Sequence, residues 1–250
     1  MALRSITLAV WDMKVLVQRH RFRGRARPFR LQGGILEGEH PGIYGQFFGQ
    51  SSFSSWSIVR EDSVINVSGT SEKKEELQLL SPLGCGIQTG SGAIIHVAKA
   101  GVNDCVAVIG LGGVGLSAVM GARLAGCAHI IGIDRHQSRL ELARELGATQ
   151  AISTEGMSDL QAATEAVFKA TDHLGANVTL DKTGVGTAPD TATVTIHAHE
   201  FMVAGKQFIG VVEGDVQPQE YIPRLINYWV KDGRRPLQKS VKFYEILRNC

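Results

Sequence analysis

Cysteine is scarce: the chain of 250 residues holds four, Cys85, Cys105, Cys127 and Cys250. Scattered in this way they cannot form the disulfide framework of a small secreted domain, so a reducing, cytoplasmic setting is expected. No run of eighteen or more apolar residues occurs, which removes a membrane-spanning helix from the expected architecture. A dominant charge is missing as well. Twenty-six basic residues against twenty-four acidic ones leave a formal charge of +2, no general field for nucleic acid or a membrane surface. The one local excess is an arm in which Arg19, Arg21, Arg23, Arg25, Arg27 and Arg30 occur with no acid between Asp12 and Glu37. Its composition is that of an import peptide, but Gly24 and Pro28 interrupt a helix, and a solvated arm is the plainer reading.

What the chain does have is 44% apolar residues, enough for a sizeable core. The first region, to about Leu80, contains a glycine-rich aromatic stretch from Gly42 to Phe53. It continues with alternating segments, Ser54 to Val59 and Val64 to Val67, that read as short strands. From Ser81 onward strand and helix signals alternate strictly. Strands are expected at Cys105 to Ile109, His129 to Ile133, Gln150 to Ile152 and Asn177 to Leu180. Helices are expected between them at Leu116 to Leu124, Ser138 to Leu146 and Leu160 to His173. This order predicts an α/β fold of the Rossmann type, a doubly wound parallel sheet with right-handed crossovers. Beyond it, Thr191 to Ile196 and Phe208 to Val212 look like strands. Pro218 to Val230 looks like a helix with Ile222, Leu225, Ile226 and Trp229 on one face.

The residues from Gly110 to Gly115 read G-L-G-G-V-G directly after the first of these strands, at the mouth of a helix. Gly110 permits the tight turn, Gly112 lets backbone approach a pyrophosphate, and Gly115 lets the helix pack close to its strand. The helix N-terminus, with Gly113 and Val114, offers N–H groups to phosphate. Asp134 ends the next strand, where an acid accepts hydrogen bonds from an adenosine ribose. Such an acid repels a 2′-phosphate and favours NAD over NADP, while Arg135 and Arg139 pull the other way. Among the histidines, His96 and His129 read as packed or capped. His197 and His199 would share a face if Thr191 to Ile196 continued as a strand, with no third metal ligand at a suitable spacing.

The segment Pro82 to Gly90 (P-L-G-C-G-I-Q-T-G), the fingerprint after it, and Glu145 to Ala148 resemble the zinc-type alcohol dehydrogenases of the medium-chain dehydrogenase/reductase superfamily. Gly45 to Phe53 and Gly210 to Asp215 further resemble the aryl- or benzyl-alcohol branch. The resemblance implies NAD-linked hydride transfer between an alcohol and its aldehyde, with zinc as Lewis acid on the alkoxide. It implies that Cys85 is the last catalytic-zinc ligand and that Thr89 packs against the nicotinamide. Thr183 would lie beside the adenosine half, and the backbone of Val211, Val212 and Glu213 would hold the nicotinamide amide. By its residue type alone, Cys85 reads equally as an inert buried thiol. Homodimerisation is a further implication, through the edge near Phe208 to Val212.

The sequence also departs from the family pattern. No cysteine precedes Cys85, His40 stands in the wrong order after Glu39, and the four-cysteine structural zinc loop is absent. A catalytic zinc needs three protein ligands, so the site is expected to be incomplete. After Gly184 the family's helix and glycine-rich strand are missing, which predicts a sheet lacking an inner strand. The family's last helices, after Phe243 to Glu245, are missing too.

The expected division is therefore a partial GroES-like all-β remnant with its basic arm over 1–80 and an NAD-binding domain over 81–232. Residues 233–250 would be a truncated return to the first. Two alternatives stay open beside the dehydrogenase: an NAD-binding module without the chemistry, and a nonfunctional or interaction fragment.

Overall fold

The structure is a computed structural model, and it describes residues 6–10, 64–67, 80–157, 160–182, 193 and 195–231. The readings on Gly42 to Phe53, Ser54 to Val59, the arginine arm, Thr183 and residues 233–250 lie outside these.

Six parallel strands form one sheet in the order β4-β3-β2-β5-β1-β6. They are β1 (Ile6–Val10), β2 (Cys105–Ile109), β3 (His129–Asp134), β4 (Gln150–Ser153), β5 (Val178–Asp181) and β6 (Gln207–Val211). Among the described residues six α-helices accompany them: α1 (Gly86–Gly92), α2 (Gly113–Ala125), α3 (Gln137–Leu146), α4 (Leu160–Ala170), α5 (Ala198–Val203) and α6 (Pro218–Lys231). The alternation read from the sequence appears in the sheet, with the registers Val106↔Ile130 and Val108↔Leu180 fixing β2 between β3 and β5.

Side chains divide by the two-residue period of a strand. Val106, Val108 and Ile130 point to the main core with Leu116, Val119, Leu140 and Leu146. Cys105, Ala107, Ile131 and Ile133 point to the opposite face, where Val167 and Ala170 of α4 cover them. Because both faces are covered, β2 is apolar throughout rather than alternating. Each fully buried leucine or isoleucine contributes about 1.5–3 kcal/mol to this core.

Helix α2 is buried along Gly115 to Ala122, sandwiched between the sheet and α1. Gly90 makes that packing possible: a Cβ there would lie 2.0 Å from the Val114 carbonyl oxygen. Helix α1 runs on through a wider π-helical turn, Ala93–Val97. In α6, Ile222, Leu225 and Ile226 are buried as its periodicity predicts, while the Trp229 side chain lies outside the described positions.

Four expectations need correction. The sheet does not lack an inner strand, because β1, from the region read as a barrel remnant and arm, pairs with β5 on one side and β6 on the other. Within Thr191 to Ile196 the described residues, 193, 195 and 196, are irregular rather than extended in a strand, and the chain enters α5 after His197. His197 and His199 therefore share no strand face, and the hydrogen-bonding slot is already filled by β1. Val64 to Val67 is irregular as well, although Ile65 and Val67 pack against the main core. Finally, His96 and His129 are exposed rather than packed: His96 lies in the last turn of the π-helical segment and His129 is the first residue of β3.

Candidate functional site

The carboxyl ends of parallel strands form the crevice in which doubly wound sheets bind ligands. Here β2 runs into the Gly110 to Gly115 turn, β3 ends on Asp134, β5 on Asp181 and β6 on Val211. The turn follows from its glycines. Gly110 adopts φ 86°, a left-handed conformation that costs a residue with a Cβ strain. A Cβ on Gly115 would meet the Gly110 carbonyl oxygen at 1.9 Å, so only glycine lets α2 start this close to β2. No side chain caps the N-terminus of α2, whose cap residue is Gly112. The first N–H groups of the helix, on Gly112, Gly113 and Val114, thus form a partly exposed cradle for an anion.

Asp134 is held rigidly beside that cradle. The Leu111 N–H donates to its Oδ2 at 2.8 Å and the His136 N–H to its Oδ1 at 2.9 Å. Arg139 Nη1 stands 3.5 Å from Oδ2, and the carboxylate side chain is 4% exposed. Arg135 is exposed and donates from Nε to His136 Nε2 at 3.1 Å. The acid is thus oriented by the same turn that would carry the phosphates, while Arg135 remains turned to solvent.

At the other end of the crevice the structure brings α1 against the turn after β6. Gln88 donates from Nε2 to the Gly84 carbonyl at 3.0 Å and also to Glu213 Oε2. Gln88 is 1% exposed, and its Oε1 has no hydrogen-bond partner. Glu213, Gly214 and Asp215 are three consecutive residues of positive φ, at 53°, 73° and 48°. A left-handed conformation costs a residue other than glycine about 1–2 kcal/mol, so the packing of this turn on α1 must hold it. Burial pushes the Glu213 carboxyl above the usual carboxylate range, against the Gln88 hydrogen bond, which lowers it.

Cys85 sits at the entry to α1, exposed at its rim. Partial desolvation of the thiol raises its pKa first, Glu213 adds to the rise, and Lys182 opposes it. Thr89, 6% exposed, donates from Oγ1 to the Cys85 carbonyl at 2.8 Å. Val211 is fully buried, and Val212 and Glu213 are half-buried. The backbone after β5 is tied to β2 by the Lys182 N–H, which donates to the Ile109 carbonyl at 2.7 Å.

The structure therefore gathers Cys85, Thr89, Val211, Val212 and Glu213 at one end of the crevice and Gly110 to Gly115 with Asp134, Arg135 and Arg139 at the other. Among the described residues, no group of three or more His, Cys, Asp or Glu side chains is placed to hold a metal ion. Cys85 alone does not make the ligand set a catalytic zinc requires, and no chemical step is derived through that metal.

Sequence reasoning missed Gln88, His136 and Lys182. Gln88 carried a signal, since it is a polar side chain set in the apolar and small residues of Gly86 to Val97. The backbone N–H groups of the other two, to Asp134 and to the Ile109 carbonyl, leave no mark on residue identity.

Residues 113–223 match the family model for zinc-binding dehydrogenases. Geraniol dehydrogenase of Castellaniella defragrans is 35% identical over 237 residues, covering 86% of this chain and 61% of its own. An alcohol dehydrogenase zinc-binding domain protein from Burkholderia ambifaria superposes with a TM-score of 0.68 at 35% identity, over 79% of this chain and 56% of its own. Benzyl alcohol dehydrogenase from Acinetobacter calcoaceticus gives a TM-score of 0.68 at 34% identity, over 77% of this chain and 56% of its own. The chain spans about three fifths of the length of the curated relatives it matches. With its parallel sheet, its glycine turn and these likenesses, the chain is similar to the zinc-type alcohol dehydrogenases of the medium-chain dehydrogenase/reductase superfamily over about three fifths of their length.

Proposed function

We propose that the chain binds NAD across the carboxyl ends of its strands and serves NAD-linked hydride transfer between a primary alcohol and its aldehyde. One observation carries the reading: the Gly110 to Gly115 turn opens an uncapped helix while its own Leu111 N–H fixes Asp134 beside it. The pyrophosphate lies on the N–H groups of Gly112, Gly113 and Val114, and the adenosine ribose on Asp134. The nicotinamide half would lie at the far end of the crevice. Thr89 packs against the nicotinamide ring, and the backbone of Val211 to Glu213 holds its carboxamide.

Asp134 favours NAD because a 2′-phosphate would face a carboxylate, whereas Arg139 is already engaged with that carboxylate and Arg135 points to solvent. In the oxidative direction the alcohol carbon gives its hydride to the nicotinamide and the hydroxyl proton leaves to solvent. Two relatives are named for geraniol and benzyl alcohol, both primary alcohols beside an unsaturated carbon, and this class is the proposed substrate. The functional unit would be the dinucleotide-binding region over 81–232 together with β1, which completes its sheet, and a cytoplasmic setting accords with this role.

A second reading has its own support. It rests on the sequence: no cysteine precedes Cys85, so the ligand set that a catalytic zinc requires is incomplete, which favours a cofactor-binding module without dehydrogenase chemistry. Titration of the chain with NADH, followed by its fluorescence, separates the readings when zinc is measured on the same sample. Binding with tightly held zinc and turnover of an alcohol supports the dehydrogenase. Binding that survives chelation, without turnover, supports the module. No binding refutes both.

A further inference from the structure

Strands β5 and β6 follow one another among the later strands of the sheet, yet they are not neighbours in it. Between them lies β1, parallel to both. Ile6, Thr7, Leu8 and Ala9 stand opposite Val178, Thr179, Leu180 and Asp181. On its other side β1 pairs from Ile6↔Gln207 to Val10↔Val211. Parallel strands are about 4.8 Å apart, so β1 sets β6 roughly 10 Å from β5. Take the segment away and two rows of backbone N–H and C=O groups lose their partners at once.

Ile6 to Val10 is suited to an interior place, with β-branched and apolar residues and neither charge, glycine nor proline. The chain between β5 and β6 offers no strand among its described residues, only α5. The carboxyl end of β1, at Val10, is level with Val211, the residue from which the strained Glu213 to Asp215 turn departs. That turn reaches α1 and the Cys85 segment through the Gln88 to Glu213 hydrogen bond. The adenosine half of the crevice stands on β2 and β3, which do not pair with β1.

We propose that Ile6 to Val10 is a surrogate inner strand, recruited from the far end of the chain, that positions Val211 to Glu213 at the nicotinamide end of the crevice. The positioning role rests on the NAD reading given above, whereas the strand pairing does not. It acts through β6, so its loss separates the two halves of the cofactor site.

Two measurements on the full chain test it. Hydrogen exchange comes first: the amides of residues 6–10 should be protected by at least about a hundredfold over the unfolded chain. Exchange there at the unfolded rate, in a chain whose β2 and β3 amides are protected, overturns the proposal whether or not NADH binds. The second is Leu8→Pro, which removes an N–H from the strand and blocks its pairing. NADH affinity should fall by about tenfold or more with loss of the fluorescence gain on binding, while ADP-ribose affinity stays within about threefold. Equal weakening of both ligands overturns the positioning role, as does no weakening of either. If the unaltered chain binds no NADH, the NAD reading fails and hydrogen exchange still decides the strand.

Discussion

The glycine turn permits a prediction in which fold and binding come apart. A Cβ on Gly115 would meet the Gly110 carbonyl oxygen at 1.9 Å and its carbonyl carbon at 3.0 Å. Both are backbone atoms, so Gly115→Ala forces α2 away from β2. Overpacking of this kind costs about 1–3 kcal/mol. In a domain of this size that corresponds to a melting temperature lower by about 2–12 °C. Gly112 is different: a Cβ there meets nothing within 4 Å, and its φ of −73° with ψ of −172° suits any residue. Gly112→Ala should keep stability within about 0.5 kcal/mol of the original. If the open space beside Gly112 is where a pyrophosphate approaches the backbone, the same methyl group obstructs the ligand. NADH affinity should then fall about tenfold or more, some 1.4 kcal/mol. Thermal unfolding and NADH titration on both variants make the comparison. Unchanged NADH affinity in Gly112→Ala refutes the pyrophosphate assignment, and unchanged stability in Gly115→Ala refutes the packing argument.

Asp134→Asn keeps the shape but leaves one acceptor for the Leu111 and His136 N–H groups, so stability should fall by about 1–3 kcal/mol. The ratio of NADPH to NADH affinity should rise, and a ratio that stays constant would remove Asp134 from cofactor discrimination. Glu213 holds its proton to a higher pH when folded than when unfolded, so its contribution is most favourable at acid pH and is lost as pH rises through the folded pKa. Glu213→Gln should abolish that share of the pH dependence of melting at and above the ordinary carboxylate range, and identical profiles would disprove it. Among the described thiols, Cys85 is exposed, whereas burial pushes Cys127 up to about 11. Iodoacetamide at mildly alkaline pH should therefore label Cys85 ahead of Cys105 and Cys127, as read by peptide mass, and preferential labelling of Cys127 would contradict the placement.

Much of the dinucleotide-binding region was legible because its signals are local. A short apolar run, a glycine turn and an amphipathic stretch each announce an element within a dozen residues. The elements Cys105–Ile109, Gln137–Leu146 and Pro218–Lys231 emerge within a residue or two of expectation. Thr191 to Ile196 misled because β-branched residues favour a strand only where neighbouring strands offer a slot, and here β1 holds it. The assembled end of the site was legible in part. Cys85 and Val211 to Glu213 were named from a resemblance, but the Gln88 side chain that joins their elements bridges residues 125 apart in sequence.

By itself the sequence determined the order of strand and helix, the place of the glycine turn and the acid that follows it, since each depends on residues within one or two turns of chain. The tertiary structure alone decided which strand stands between β5 and β6, and that choice sets the nicotinamide end. The physical reason is that an interior strand has no intrinsic address. Its place depends on which backbone edges remain unpaired when the sheet closes, and residues 6–10 and 207–211 can learn that only from each other.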